Sequence, residues 1–128
     1  MRKMSNFAKN QRDEIIDLFD SYENYNQENF NNILSNIVNH NNNEEAIEAC
    51  SAIHDEVCYI SSVHNYNIKA KMSRHEAILE NDIKFKNYIM NALTDITIVY
   101  MHISNTELNL ENLFNDDDIE RIKTLRQH

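Results

Sequence analysis

Glycine, proline and tryptophan are all missing from this 128-residue sequence. Without glycine, no residue takes a positive φ freely or lets the backbone close onto a phosphate group. The phosphate loop, the dinucleotide-binding fingerprint, the hydrolase nucleophile elbow and the EF-hand calcium loop are therefore excluded. Cysteine is scarce as well. Cys50 and Cys58 stand eight residues apart in a segment that reads as one helix, about 12 Å along its axis, which no disulfide spans. Free thiols suit a reducing compartment, so the expected location is the cytoplasm, or a host cytosol. No apolar run exceeds that at 98–101, which is too short to cross a bilayer, and the N-terminus has no apolar signal-peptide region, so a soluble protein without membrane contact is expected.

Positive charge is also in short supply. Twelve basic side chains face twenty-one acidic ones, giving a net charge of -9. Such a surface repels phosphate backbones, and the bases occur only singly or in small groups, at Arg2/Lys3, Lys69/Lys71/Arg74, Lys84/Lys86 and Arg121/Lys123/Arg126. Direct nucleic-acid binding is not expected. A protein partner with a basic or apolar surface fits better. Carboxylates gather at 13–28, 44–56 and 107–120, where helical spacing can imitate a phosphate row; keeping an ordinary protein dispersed is the commoner use of such charge.

Asparagine, by contrast, occurs twenty-one times. Together with the dearth of residues that have GC-rich codons, this points to an AT-rich coding source: phages, large DNA viruses, low-GC bacteria and some protists fit, and a small acidic helical protein suits a phage, a virus or a mobile element.

What remains is helical periodicity, which predicts an all-α fold: a single helical domain over 1–128, a compact bundle of five or six helices. Residues 5–23 place Phe7, Gln11, Ile15, Leu18 and Tyr22 on one stripe, with Ser5 as cap. Asn26 caps a second helix over 27–39, carrying Phe30, Ile33, Leu34, Ile37 and Val38. A third helix over 44–64, with Asn43 as cap, aligns Ala46, Ala49, Cys50, Ile53, Val57, Ile60 and His64. From 67 onward, Ile68, Met72, His75 and Leu79 form a further helical face, and 80–82 reads as a break with Asn81 recapping. Phe85, Ile89, Ala92, Ile96, Val99 and Ile103 then repeat at spacings of 4, 3, 4, 3 and 4, a heptad seam that requires a helix packed on another helix. The β-branched stretch 96–100 would alone suggest a strand, but no second strand accompanies it. Ser104 and Glu107 have capping-box spacing ahead of Leu108, Leu110, Leu113 and Phe114, and 116–128 is a last amphipathic stretch.

Because the seam is longer than one bundle is expected to cover, its residues Phe85, Ile89, Ile96, Val99 and Ile103, with Tyr100 beside them, are predicted to form an interface and a homodimer. The tyrosines Tyr22, Tyr25, Tyr59, Tyr66 and Tyr88 belong to the residue type enriched at such surfaces.

Three groups of residues raise chemical possibilities. Cys50, His54 and Cys58 occupy successive helical turns, and neighbouring thiolate and imidazole groups chelate soft divalent cations. One straight helix cannot wrap all three around a tetrahedral ion, so Cys50 reads more simply as a core residue. His75-Glu76 opens like a zinc-protease helix, but Leu79 stands where the second histidine is needed. Glu45 and Glu48 form Glu-x-x-Glu, with Glu76 and Glu80 some thirty residues on; facing carboxylates of this kind hold Mg²⁺ against a nucleotide. That spacing loosely resembles the all-α nucleotide pyrophosphatases of the MazG and dimeric dUTPase type, over less than a third of the chain. The resemblance implies a Mg²⁺-dependent pyrophosphohydrolase, although the family's second Glu-x-x-Asp motif is missing.

No cofactor and no catalytic residue are assigned. The sequence is read as a non-enzymatic, acidic helical protein that binds another protein as a regulator or inhibitor. A Mg²⁺-dependent hydrolase and a metal-binding helical protein are the alternatives.

Overall fold

Six α-helices and no strand make up the described residues, 3–106 and 108–127, of the structure, which is a computed structural model. The all-α bundle expected from periodicity is the fold.

Side-chain caps set most of the helix starts. Ser5 Oγ accepts from the Ala8 amide at 3.2 Å to open α1 (Asn6–Leu18), and Asn26 Oδ1 accepts from Asn29 N at 3.1 Å to open α2 (Gln27–Val38). A 3₁₀ turn (Tyr22–Asn24) lies between them. The third helix, α3 (Asn43–Ser73), is capped one residue earlier than expected, by Asn42, whose Oδ1 accepts from Glu45 N at 3.1 Å. Asn43 makes a longer-range contact instead. Its Nδ2 donates to the Ile103 carbonyl at 3.1 Å, fastening the start of α3 to the end of α4 (Glu80–Ser104).

The largest departure from the sequence reading is the length of α3. It runs unbroken for 31 residues, past the end expected at 64. The polar run at 65–67 interrupts the apolar pattern, but asparagine and tyrosine are compatible with a helix, and no glycine or proline stands there to stop it. The stop comes at His75, the one described residue with positive φ, at 57°. His75 N donates to Met72 O at 3.1 Å and Glu76 N to Lys71 O at 2.8 Å, the paired closure of a Schellman motif. His75 and Leu79 therefore belong to the turn at 74–79, and do not continue a helical face from Ile68 and Met72. Helix α4 begins where the break was expected, and Asp82, not Asn81, caps it, its Oδ2 accepting from Leu79 N at 2.9 Å.

Helices α3 and α4 are antiparallel along their full length, joined at one end by Asn43 and Ile103 and at the other by a Lys71–Asp82 ion pair at 2.7 Å. The C-terminal part differs in detail from the expectation. Ser104 closes α4, the capping partner Glu107 lies outside the described residues, and the following short helix α5 is Leu110–Leu113. Asn115 Oδ1 accepts from Asp118 N at 2.9 Å at the head of α6 (Asp116–Gln127).

The core uses one half of the α3–α4 pair. Ala46, Ala49, Cys50, Ile53 and Val57 of α3 meet Ile89, Ala92, Ile96, Val99 and Ile103 of α4, with Ile15 and Leu18 of α1 and Phe30, Leu34 and Ile37 of α2 closing over them. Leu125 of α6 joins this cluster, and Ile122 packs with Ile98 and Phe114 in a smaller one. Hydrogen bonds fasten α6 in place: Ser35 Oγ donates to Leu125 O at 2.8 Å, and Arg121 Nη2 reaches Asp95 at 2.9 Å. Between 58 and 88 no residue is buried.

Candidate protein-binding surface

Most of the residues expected to form an interface are core. Ile89, Ile96, Val99 and Ile103 are each 3% exposed or less, and Phe85 is half-buried between Phe19 and His64. The heptad seam is thus consumed within the chain. Its spacing requires a facing helix, and α3 is that helix. This corrects the expectation that the seam is left over for a second copy. Only Tyr100 of that set stays on the surface, beside a groove of about 260 Å³ lined also by Cys50, His54, Asp55 and Ile96.

That groove contains part of the suggested chelating set. Cys50 is fully buried, and burial pushes its thiol up to about 12, which keeps it protonated and a poor metal ligand. The Cys58 sulfur lies 3.8 Å from the His54 ring nitrogens, and both residues are exposed. His102 does not join them: its Nε2 lies 2.8 Å from Arg126 Nη2. His75 lies in the turn beyond α3. Among the described residues, no group of three or more histidine, cysteine, aspartate or glutamate side chains is arranged to hold a metal ion.

The carboxylates are likewise not brought together. Glu45 and Glu48 stand at the start of α3 and Glu76 and Glu80 beyond its other end, and 31 helical residues extend about 45 Å. Each is engaged locally. Glu45 meets His40 at 2.8 Å, Glu48 accepts from Ser5 N at 2.6 Å, Glu76 pairs with Arg74 at 2.7 Å and Glu80 with Lys84 at 3.3 Å. The Arg74 hydrogen bond holds the Glu76 carboxyl below the usual range.

What the structure does show is a set of exposed apolar side chains on the half of the α3–α4 pair that the other helices cover only at its base, where Phe19 meets Phe85 and Tyr22 and Tyr25 meet Tyr88. Over 58–88 the exposed large apolar side chains are Tyr59, Val63, Tyr66, Met72, Ile78, Leu79 and Ile83, with Tyr66 at 73% and Met72 at 60%. Scattered single apolar residues are normal on any surface; here seven fall on one two-helix segment, Tyr59 and Val63 at one depression and Met72, Ile78 and Ile83 at another. Two depressions flank the hairpin. One, of about 400 Å³, lies against Ile16 and Phe19 of α1, with Tyr59, Ile60, Val63 and Phe85. The other, of about 630 Å³, runs along the inter-helix groove and is lined by Ile68, Met72, Ile78 and Ile83 with Lys69 and Lys86 at its rim.

At the base of the hairpin the aromatic residues serve packing. Tyr25 stacks on Tyr88 at 4.2 Å and Tyr22 on Tyr88 at 5.9 Å; burial, with Asp95 nearby, raises the Tyr25 hydroxyl to about 12. Tyr59 and Tyr66, by contrast, are exposed, at 66% and 73%.

The hairpin also differs in charge. It carries Lys69, Lys71, Arg74, Lys84 and Lys86 against Glu76, Glu80 and Asp82, a net of +2. The remaining seven basic and eighteen acidic residues leave -11 on the rest of the chain. In sequence the groups Lys69/Lys71/Arg74 and Lys84/Lys86 stand apart; the turn at 74–79 brings them to one end.

No described helix is long and apolar enough to cross a membrane. Comparison with protein families, with curated proteins and with solved structures gives no match.

Proposed function

We propose that the chain is a non-enzymatic regulator or inhibitor that works by holding another protein against the hairpin at 58–88. The observation that carries this reading is the 31-residue stretch without a buried residue, rich in exposed tyrosine, methionine and isoleucine. Such residues supply interface anchors, and a helical pair that packs against the core only through Ile60, Phe85 and Tyr88 has apolar surface to spare. The separation of the four carboxylates and the protonated, buried Cys50 give the hydrolase and metal-binding readings no comparable support.

The charge division alters the expected partner. The acidic bundle favours basic surfaces, but the apolar hairpin is itself slightly basic. An apolar surface carrying acidic groups fits it better than the basic one that total charge suggests. Two free cysteines, one of them exposed, suit action in the cytosol.

The test is site-specific photocrosslinking in the native host. A benzophenone amino acid at Tyr66 is expected to give a discrete protein adduct that disappears when Ile83→Asp is added, while the same group at Lys9 on α1 gives none. Adducts from Lys9 alone, or hydrolysis of nucleoside triphosphates by the purified chain with Mg²⁺, would overturn the reading.

A further inference from the structure

The hairpin has five cations, and three of them are already matched. Lys71 pairs with Asp82 at 2.7 Å, Arg74 with Glu76 at 2.7 Å and Lys84 with Glu80 at 3.3 Å. Every acidic residue of the segment is used in these pairs. Lys69 and Lys86 are left without an acidic partner among the described residues, and both stand on the rim of the 630 Å³ groove.

The groove floor is made by Ile68 and Met72 of α3, Ile78 of the turn and Ile83 of α4. Met72, Ile78 and Ile83 are 60%, 42% and 55% exposed, so each has surface left to give. His64 closes the inner end, with its Nε2 3.0 Å from the Asp82 carbonyl. The one carboxylate inside the groove, Asp82, is held by Lys71 and by the Leu79 amide and offers little repulsion to an anion.

An apolar floor between two antiparallel helices, with one unmatched lysine from each, has the shape and charge for a third helix lying along it. Helix-in-groove recognition of this kind reads apolar residues at i, i+3, i+4 and i+7 from the floor and polar residues from the rim. We propose that the groove binds an acidic amphipathic helix of a partner protein, with its apolar face on Ile68, Met72, Ile78 and Ile83 and its carboxylates against Lys69 and Lys86. The inference rests on the reading of the hairpin as the protein-binding element and specifies the partner's chemistry. The net charge of -11 on the rest of the chain sharpens the choice of site, because it disfavours an acidic helix there. Concavity favours a helix over a flat anionic lipid surface, which would meet the hairpin tip instead.

The test uses the full chain and a fluorescein-labelled designed helix of about twenty residues with leucine at i, i+3, i+4 and i+7 and glutamate elsewhere; its control has lysine for every glutamate. Fluorescence anisotropy is expected to show saturable binding of the acidic peptide that weakens as salt rises. Affinity should fall about tenfold or more for K69E/K86E, and stay within about twofold for K9E/K123E, which changes the net charge equally on the bundle. All four lysines are exposed, so both variants should keep the wild-type circular dichroism spectrum. Equal affinity for the two peptides, no binding, or equal behaviour of the two double variants would overturn the proposal. So would flotation of the chain with phosphatidylserine vesicles without peptide binding, or a dimer in sedimentation equilibrium that Ile83→Asp abolishes. If the peptide fails while Tyr66 still crosslinks to a protein, the acidic-helix inference falls and the hairpin reading stands.

Discussion

Arg126 and His102 face each other at 2.8 Å, guanidinium Nη2 to imidazole Nε2. The contact is favourable only while the imidazole is neutral and its Nε2 accepts a hydrogen bond. Burial, followed by the nearby guanidinium, pushes the His102 pKa down from its ordinary value. The folded state thus binds fewer protons than the unfolded state just below the ordinary imidazole pKa of about 6.5, and stability rises with pH across that window. Urea midpoints at about pH 7.5 and about pH 5.5 should show a loss of stability on the acid side that His102→Gln reduces. Glu76 and Asp82, whose carboxyls are held down, contribute stability that is lost only at lower pH, as it falls below about 5. An equal pH dependence in wild type and His102→Gln would contradict this account.

Two isoleucines on α4 should behave oppositely. Ile96 is 1% exposed within the core, and Ile96→Ala should cost about 2–4 kcal/mol through lost burial and the cavity left behind. Ile83 points into the bare groove, and Ile83→Ala should change stability by less than about 0.5 kcal/mol. Chemical denaturation of the two variants decides. Similar losses would mean that the hairpin is packed more tightly than its exposure indicates.

The thiols give a second check on the same division. Cys58 should react with a maleimide or with Ellman's reagent in the native protein. Cys50, fully buried and raised to about 12, should react only after denaturation. Counting one fast thiol in buffer and two in urea is the expected result; two fast thiols in buffer would disprove the burial of Cys50.

At the end of α3, His75 adopts the left-handed conformation that glycine takes at little cost. A side chain with a Cβ is disfavoured there by about 1–2 kcal/mol, part of which glycine's greater freedom in the unfolded chain offsets. His75→Gly should therefore stabilise the fold by about 0.5–1 kcal/mol, a rise in Tm of roughly two to five degrees. Differential scanning calorimetry reads this directly, and an unchanged or lower Tm would rule it out.

The helical character, the caps at Ser5 and Asn26 and the seam of α4 were legible because each depends on residues close in sequence. Spacing shows that a seam needs a facing helix; it does not say which one. Here α3, with α1 and α2 closing over the pair, covers it, so an apparent surplus of apolar surface on α4 is core. The surplus lies instead on Tyr59, Val63, Tyr66, Met72, Ile78, Leu79 and Ile83, whose periodicity looks like that of any amphipathic helix. Nothing local distinguishes a stripe that finds cover in its own chain from one that does not. The same applies to Glu45, Glu48, Glu76 and Glu80, which would approach one another only if the third helix ended near 64 and folded back. A histidine acting as the helix stop carries no warning in a sequence without glycine, and α3 therefore reads shorter than it is.

The stretch at 58–88 also divides the molecule's resistance to opening. Its backbone hydrogen bonds are shielded by few apolar neighbours, so its amides should exchange with solvent deuterium through fraying of the hairpin alone, well before those of Ile53, Ile96 or Leu34, which need the whole bundle to open. Lys69, Lys71, Arg74, Lys84 and Lys86 all lie within that loosely guarded stretch, and trypsin should make its first cuts among them.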